Sequence, residues 1–334
     1  MASTMSTITH IVGWFSFFIS FCAAVSLIIY IEKKTRPELE GYNNFLRMNS
    51  YYTLGYTIID LLCQPLIIED VHGFGYVFIS ENRLFSLEYS FSHLIQIIYC
   101  GCFISTSTFL VLNFIYRYLA CCKKNLLKYF HGWNLSIVLT CSATPFLIFA
   151  VSVYIVLGPT PERTAYMNHT TMQTENFDLS GKPYIAPIFR HFFNHSEHNV
   201  GDINCATMSA MLSLIGIQIL FYAISLICGY LTYRENKSLF DVAKMSPTVY
   251  KTHLQFLKAI AIQAIIPIVP IYIVPSLLIG GSIFGAHLKY SGYFTVMSIS
   301  SYPALNSLGF LFSIREFRSA FCCYSRTASK FSCF

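Results

Sequence analysis

The chain has 334 residues, of which 54% are hydrophobic and only 11% charged, and its mean hydropathy is +0.54. Soluble domains carry about 25% charged residues, so this composition excludes an ordinary soluble domain; the length leaves room for several membrane spans and short loops but no large extra domain. The net charge of +6 suggests nucleic acid only until the charges are located, for they fall mainly in the loops of one side, and no nucleic-acid partner is expected.

The first ten residues carry no Lys or Arg and lead into an apolar run at about 11–30. Lys33, Lys34 and Arg36 follow that run, the reverse of a secretory signal, so it reads as a retained span with the N-terminus outside. A second span is expected at about 48–68. Glu69, Asp70, Glu81 and Glu88 then mark an outer loop. From Glu88 to Arg117 no Asp, Glu, Lys or Arg occurs, which predicts a third span at about 91–116, since roughly 20 apolar residues cross a bilayer. It closes on Tyr116-Arg117-Tyr118, with Lys123, Lys124 and Lys128 beyond, the pattern of a cytoplasmic helix end. A fourth span, about 133–157, should kink near Pro145. The longest polar segment, 158–204, holds two glycosylation sequons, at Asn168 and Asn194. A fifth span follows at about 206–232, a sixth at 254–279 with Pro267, Pro270 and Pro275, and a seventh at 290–314 with Pro303, before a basic cytoplasmic tail at 315–334.

With this topology, seventeen of the 22 Lys and Arg residues lie on the inner side, in keeping with the positive-inside rule. The expected fold is an all-α membrane protein, a single seven-transmembrane helix bundle over 1–334 with an extracellular N-terminus. Most of the twelve cysteines lie within apolar runs, where Cys behaves as a small hydrophobe.

Several stretches carry a resemblance. Ile98-Tyr99-Cys100 with Tyr116-Arg117-Tyr118-Leu119-Ala120 resembles the third helix of the nematode Str-type serpentine chemoreceptors, which ends in an aromatic-Arg-Tyr motif. Leu254 to Ile260, with Gln263 and Ile266-Pro267, is similar to the sixth-helix signature of that family. Ser301-Tyr302-Pro303-Ala304-Leu305 and Ile314-Arg315-Glu316-Phe317-Arg318 resemble its seventh-helix exit, and Ile59-Asp60-Leu61 with Pro65 its second helix. The neighbouring Srd and Srj families share much of this pattern. Asn306 departs from it, standing where an acidic residue is usual. The resemblance implies a rhodopsin-like G-protein-coupled receptor for small odorants, working with a heterotrimeric G protein at the plasma membrane of a chemosensory cilium.

Arg117 then has two readings: an interfacial anchor set by charge asymmetry, or, as the resemblance implies, part of the G-protein-coupling surface with Tyr116 and Tyr118. Asp60 is the one carboxylate well inside an apolar span and should seek a partner in the bundle interior, such as Asn306, Ser300, Ser301 or a bound cation. His93, Gln96, Tyr99 and Phe103 on the third helix are candidate ligand-pocket residues, a mixture suited to a small neutral molecule. Cys100 lies seventeen residues before Arg117, or about 25 Å along a helix. It therefore sits near the outer boundary, as does Cys205, so a disulfide between them competes with two free thiols and with pairings of Cys63 or Cys102. Cys322 and Cys323 are palmitoylation candidates. No catalytic constellation, cofactor or metal site is expected; His169, His191, His195 and His198 read as solvated loop residues. A transporter or channel is the alternative class, but it calls for several ionisable residues at mid-membrane and paired broken helices. A peptide or amine receptor is closer, although an amine receptor calls for a carboxylate on the third helix, which has none.

Overall fold

The computed structural model describes residues 4–33, 40–81, 87–130, 133–190, 202–242, 261–288 and 290–313. Helices follow the apolar runs, with one more, α6, in the long polar segment: α1 (Thr4–Lys33), α2 (Glu40–Cys63), α3 (Tyr89–Cys122), α4 (Trp133–Ser142), α5 (Thr144–Val156), α6 (Pro161–Glu175), α7 (Cys205–Val242), α8 (Ala261–Phe284) and α9 (Ser291–Ser313). Among the described residues five stretches are long and apolar enough to cross a membrane: Thr4–Glu32, Tyr89–Cys122, Trp133–Val156, Cys205–Glu235 and Ala261–Phe284. The break between α4 and α5 falls at Ala143, with Pro145 in the first turn of α5, where a missing N–H costs nothing. In α8 the chain turns at 266–267 and then winds as a π-helix over Ile268–Ile273 before resuming α geometry at Val274.

The all-α expectation fails at one end of the bundle, where three short strands form an antiparallel sheet in the order β1 (Pro65–Glu69), β2 (Tyr76–Ser80), β3 (Tyr184–Ile185). The second helix, expected to reach Ile68, stops at Cys63. Gln64 adopts a φ of 45° ahead of Pro65, whose ring disfavours a helical residue before it. Beyond it, Leu66-Ile67-Ile68 and Tyr76-Val77-Phe78-Ile79 are β-branched and aromatic, suited to a pleated surface. Gly73, at φ 75°, serves the turn between them. Pro65 pairs with Ser80 and Glu69 with Tyr76; Ile79 of β2 also faces Tyr184 of β3.

The period of two in the strands splits their side chains between two cores. Ile67, Tyr76 and Phe78 join the main core with Tyr99 and Phe103 of α3, Phe149 and Val153 of α5, Met211 and Leu214 of α7, and Val296 and Ile299 of α9. Leu66, Ile68, Val77 and Ile79 point the other way, into a second core with Met167 of α6, Leu179 and Tyr184. The sheet is therefore a roof on the bundle, and α6 covers the roof.

Candidate functional site

Beneath the sheet lies a cavity of about 100 Å³. Its walls come from every element around it: Ile67, Tyr76 and Phe78 above, Tyr99, Cys100 and Phe103 of α3, Phe149 and Val153 of α5, Met211 of α7, Leu278 of α8, and Thr295, Val296 and Ile299 of α9. Among the described residues no charged side chain lines it. An enclosed apolar cavity of about 150 Å³ holds a benzene-sized molecule, which sets the scale of an occupant here.

Of the four candidate pocket residues, Tyr99 and Phe103 line the cavity and His93 and Gln96 do not. His93 turns toward α5, its ring 6.2 Å from that of Tyr154. Gln96 is fully buried and donates through Nε2 to the carbonyl of Phe78 at 2.6 Å. It ties β2 of the roof to α3. The expected disulfide is a correction: Cys100 and Cys205 are both free thiols, because Cys100 lines the cavity while Cys205 is exposed at the start of α7, its Sγ 3.8 Å from the Ile203 carbonyl.

Carboxylates fix the roof's other edges. Glu69, at the end of β1, accepts from Ser291 Oγ and, at 2.9 Å, from Gly292 N, so it caps the N-terminus of α9, where the helix dipole favours an anion. The approach is close: a Cβ on Gly292 would lie 2.4 Å from the Ile67 carbonyl oxygen. Asp70 is fully buried and accepts from Tyr166 Oη at 2.8 Å and Thr170 Oγ1 at 3.2 Å, both on α6. Burial and the adjacent Asp70 carboxylate push the Tyr166 phenol far above its ordinary pKa, which keeps it a donor. Glu81, past β2, pairs with His10 of α1. Glu69→Ala is expected to cost about 1–2 kcal/mol, as loss of a helix cap does, and Glu69→Gln, which keeps an acceptor, less. Thermal melting of the purified protein checks this; an unchanged midpoint in Glu69→Ala means the cap holds nothing.

Deeper in the bundle Asp60 accepts from Ser300 Oγ of α9 at 2.9 Å. Below it a layer of polar side chains joins the helices. Tyr52 Oη of α2 donates to the Cys102 carbonyl at 2.5 Å and meets Thr106 Oγ1 at 3.0 Å. Tyr272, within the π segment, donates to Ser107 Oγ at 3.2 Å, and its ring lies 4.8 Å from that of Tyr222 on α7. Asn306 lines a small polar pocket in this layer with Asn49, Asn113 and Gln263.

At the far end of α3, Arg117 is 7% exposed and Tyr116 6%. The Tyr116 ring meets Phe130 edge-on at 5.4 Å, packing α3 against the 3₁₀ helix Lys124–Phe130; Tyr118 is half-buried. Arg117 is therefore enclosed by its own bundle and not spread over its surface. The Asn168 sequon sits within α6, where Asn168 Oδ1 accepts from Leu179 N at 2.8 Å, so its amide already serves the fold. Asn194, His191, His195, His198, Cys322 and Cys323 lie outside the described residues.

Sequence reasoning missed the roof and its ties. Pro65 and the glycines at 73 and 75 were the available signal.

Residues 9–322 match the family described as serpentine type 7TM GPCR chemoreceptor Str. The chain belongs to this family. A serpentine receptor class r-10 of Caenorhabditis briggsae is 23% identical, covering 99% of this chain and 91% of the relative. Its namesake in Caenorhabditis elegans is 24% identical over 90% and 86%, and the C. elegans G-protein coupled receptor str-33 is 24% identical over 88% and 84%. Membership of the Str family makes the chain a multi-pass membrane chemoreceptor of the G-protein-coupled class, and not an enzyme.

Proposed function

We propose that the chain is a chemosensory receptor of the plasma membrane, in the cilium of a sensory neuron, that crosses the bilayer seven times with its N-terminus outside. It binds a small, neutral, mainly apolar molecule in the cavity beneath the sheet and activates a heterotrimeric G protein at the Arg117 end. The observation that carries this reading is the roofed, charge-free cavity, walled by Tyr99 and Phe103 of α3 and by three residues of α9. Any ligand between these helices can act through different affinities for two helix arrangements. Two further spans, α2 and α9, have 24 and 23 residues. Their polar residues turn inward: Ser50, Thr53, Thr57 and Asp60 on α2, and Thr295, Ser300 and Ser307 on α9 are buried, which leaves apolar faces for lipid.

The test is a calcium-response screen of volatile and water-soluble compounds on cells expressing the chain, with an N-terminal tag read by external protease. Responses confined to compact neutral molecules, with the tag cleaved in intact cells, are the expected result. Responses only to peptides or charged amines, or a protected tag, would sink this reading.

A further inference from the structure

The cavity beneath the sheet has few polar atoms, and one of them is poorly served. Tyr76, on β2, is 8% exposed and lines the cavity. Its hydroxyl donates to Sδ of Met211 on α7 at 4.0 Å, and a thioether is a weak acceptor. A buried tyrosine O–H ordinarily finds a stronger partner, and a buried donor left short of one is costly. Burial pushes the Tyr76 phenol well above its ordinary pKa, so it stays protonated and remains a donor. The other two hydroxyls of the wall are differently placed. Thr295 Oγ1 gives its proton to the Ser291 carbonyl at 2.8 Å. The Tyr99 hydroxyl makes no hydrogen bond among the described residues, but Tyr56 and the Asp60 carboxylate of α2 are its neighbours, acceptors of a kind that Tyr76 does not have.

We propose that Tyr76 is a specificity-determining residue of the cavity: an uncharged oxygen on the occupant, as in a carbonyl, ether or ester, takes the hydrogen bond that Met211 now accepts, so the site selects compact neutral molecules with such an oxygen at the end facing the roof. This rests on the reading above of the cavity as the binding site. An oxygen without a proton of its own is matched by the one phenol. A pure hydrocarbon leaves the phenol on its thioether and gains contact alone, and an amine or carboxylate would be buried among apolar walls without a counter-charge among the described residues. The hydroxyl is also held in place. Tyr76 pairs with Glu69 across the hairpin, and Val77, next along β2, is buried in the second core with Met167 of α6, so the strand that carries the phenol is fixed from both faces.

The experiment uses the purified full chain as wild type, Tyr76→Phe, Tyr99→Phe and Met211→Leu. Its probes are cyclopentanone and methylenecyclopentane, both of benzene-like size, which differ in C=O against C=CH2. The dissociation constant of each is read from the rise in melting midpoint with probe concentration, and comparing one probe across the four proteins cancels its partition into detergent. Cyclopentanone should bind Tyr76→Phe about fivefold more weakly than wild type, the fold-change of one neutral hydrogen bond. Methylenecyclopentane should bind these two proteins alike, and Tyr99→Phe should keep the preference for the ketone. Met211→Leu removes the competing acceptor at nearly unchanged volume and should bind the ketone at least as tightly as wild type. Ketone affinity untouched by Tyr76→Phe, equal weakening of both probes, loss of the ketone preference in Tyr99→Phe alone, or weaker ketone binding by Met211→Leu each overturns the subsite while leaving the cavity as the binding site. Probes that stabilise none of the four proteins bring down the cavity reading itself, and the subsite with it.

Discussion

Arg117→Ala is expected to abolish ligand-evoked G-protein activation while surface expression and ligand binding stay within about twofold of wild type. The side chain is 7% exposed at the end of a 34-residue helix, and a charge kept inside a membrane bundle carries a cost that is characteristically retained for function. Removal of one member of a buried charged contact can itself destabilise a protein, so surface expression and ligand binding are measured beside signalling to separate loss of coupling from loss of the fold. Arg117→Lys should recover part of the signal, because an ammonium keeps the charge but not the planar fork of donors. The measurement is nucleotide exchange on the G protein in membranes at matched receptor density, using an agonist from the compound screen. Normal exchange by Arg117→Ala would return the residue to a packing role.

The second large effect is expected at the cavity. Val296 is 3% exposed on α9 and lines the cavity opposite Tyr99 and Phe103. Val296→Phe puts a ring into a space of about 100 Å³, and overpacking of this kind costs about 1–3 kcal/mol. Potency of any cavity-bound agonist should fall at least tenfold, with ligand-independent activity unchanged. Ile299→Ala, in the same wall, should shift the response toward larger molecules. Dose–response curves for a homologous series of neutral compounds decide it, and an unaltered ranking in both variants would place the ligand elsewhere.

The long helices were legible because charges are scarce and cluster where apolar runs end, as between Glu88 and Lys123. The roof was not, because an uncharged run such as Leu66-Ile67-Ile68 reads equally well as the last turn of a span or as a strand. Only Pro65 and the left-handed Gln64 decide it, and the second of these is visible only in the backbone. Depth in the bundle could be counted from residue spacing, which is why Cys100 and Cys205 fell at one level. Direction around the helix axis could not, and it separates them: one faces the cavity and the other the outside. Gln96 fails as a pocket residue for a related reason. It was weighed against small molecules, whereas its partner is a backbone carbonyl eighteen residues earlier in the chain, which no side-chain pattern announces. Ser300 stood among the partners considered for Asp60, since both fall within spans at similar depth, and it is the one that donates.

The π segment of α8 has a geometric consequence. Tyr272 N reaches back five residues to the Pro267 carbonyl, at 3.3 Å, so this turn contains more chain than an α turn of the same height. Such surplus is conserved along a helix: it can be passed from one turn to the next by exchanging hydrogen bonds in sequence, without the helix ever coming apart. Each residue handed across is itself re-aimed by about 100°, the angle subtended by one residue at 3.6 per turn, while the helix on either side keeps its orientation. A wrinkle travelling a few positions toward Ala261 would thus re-aim the side chains it passes while both ends of α8 hold their facing, with Leu278 and Ile279 still seated beside the cavity.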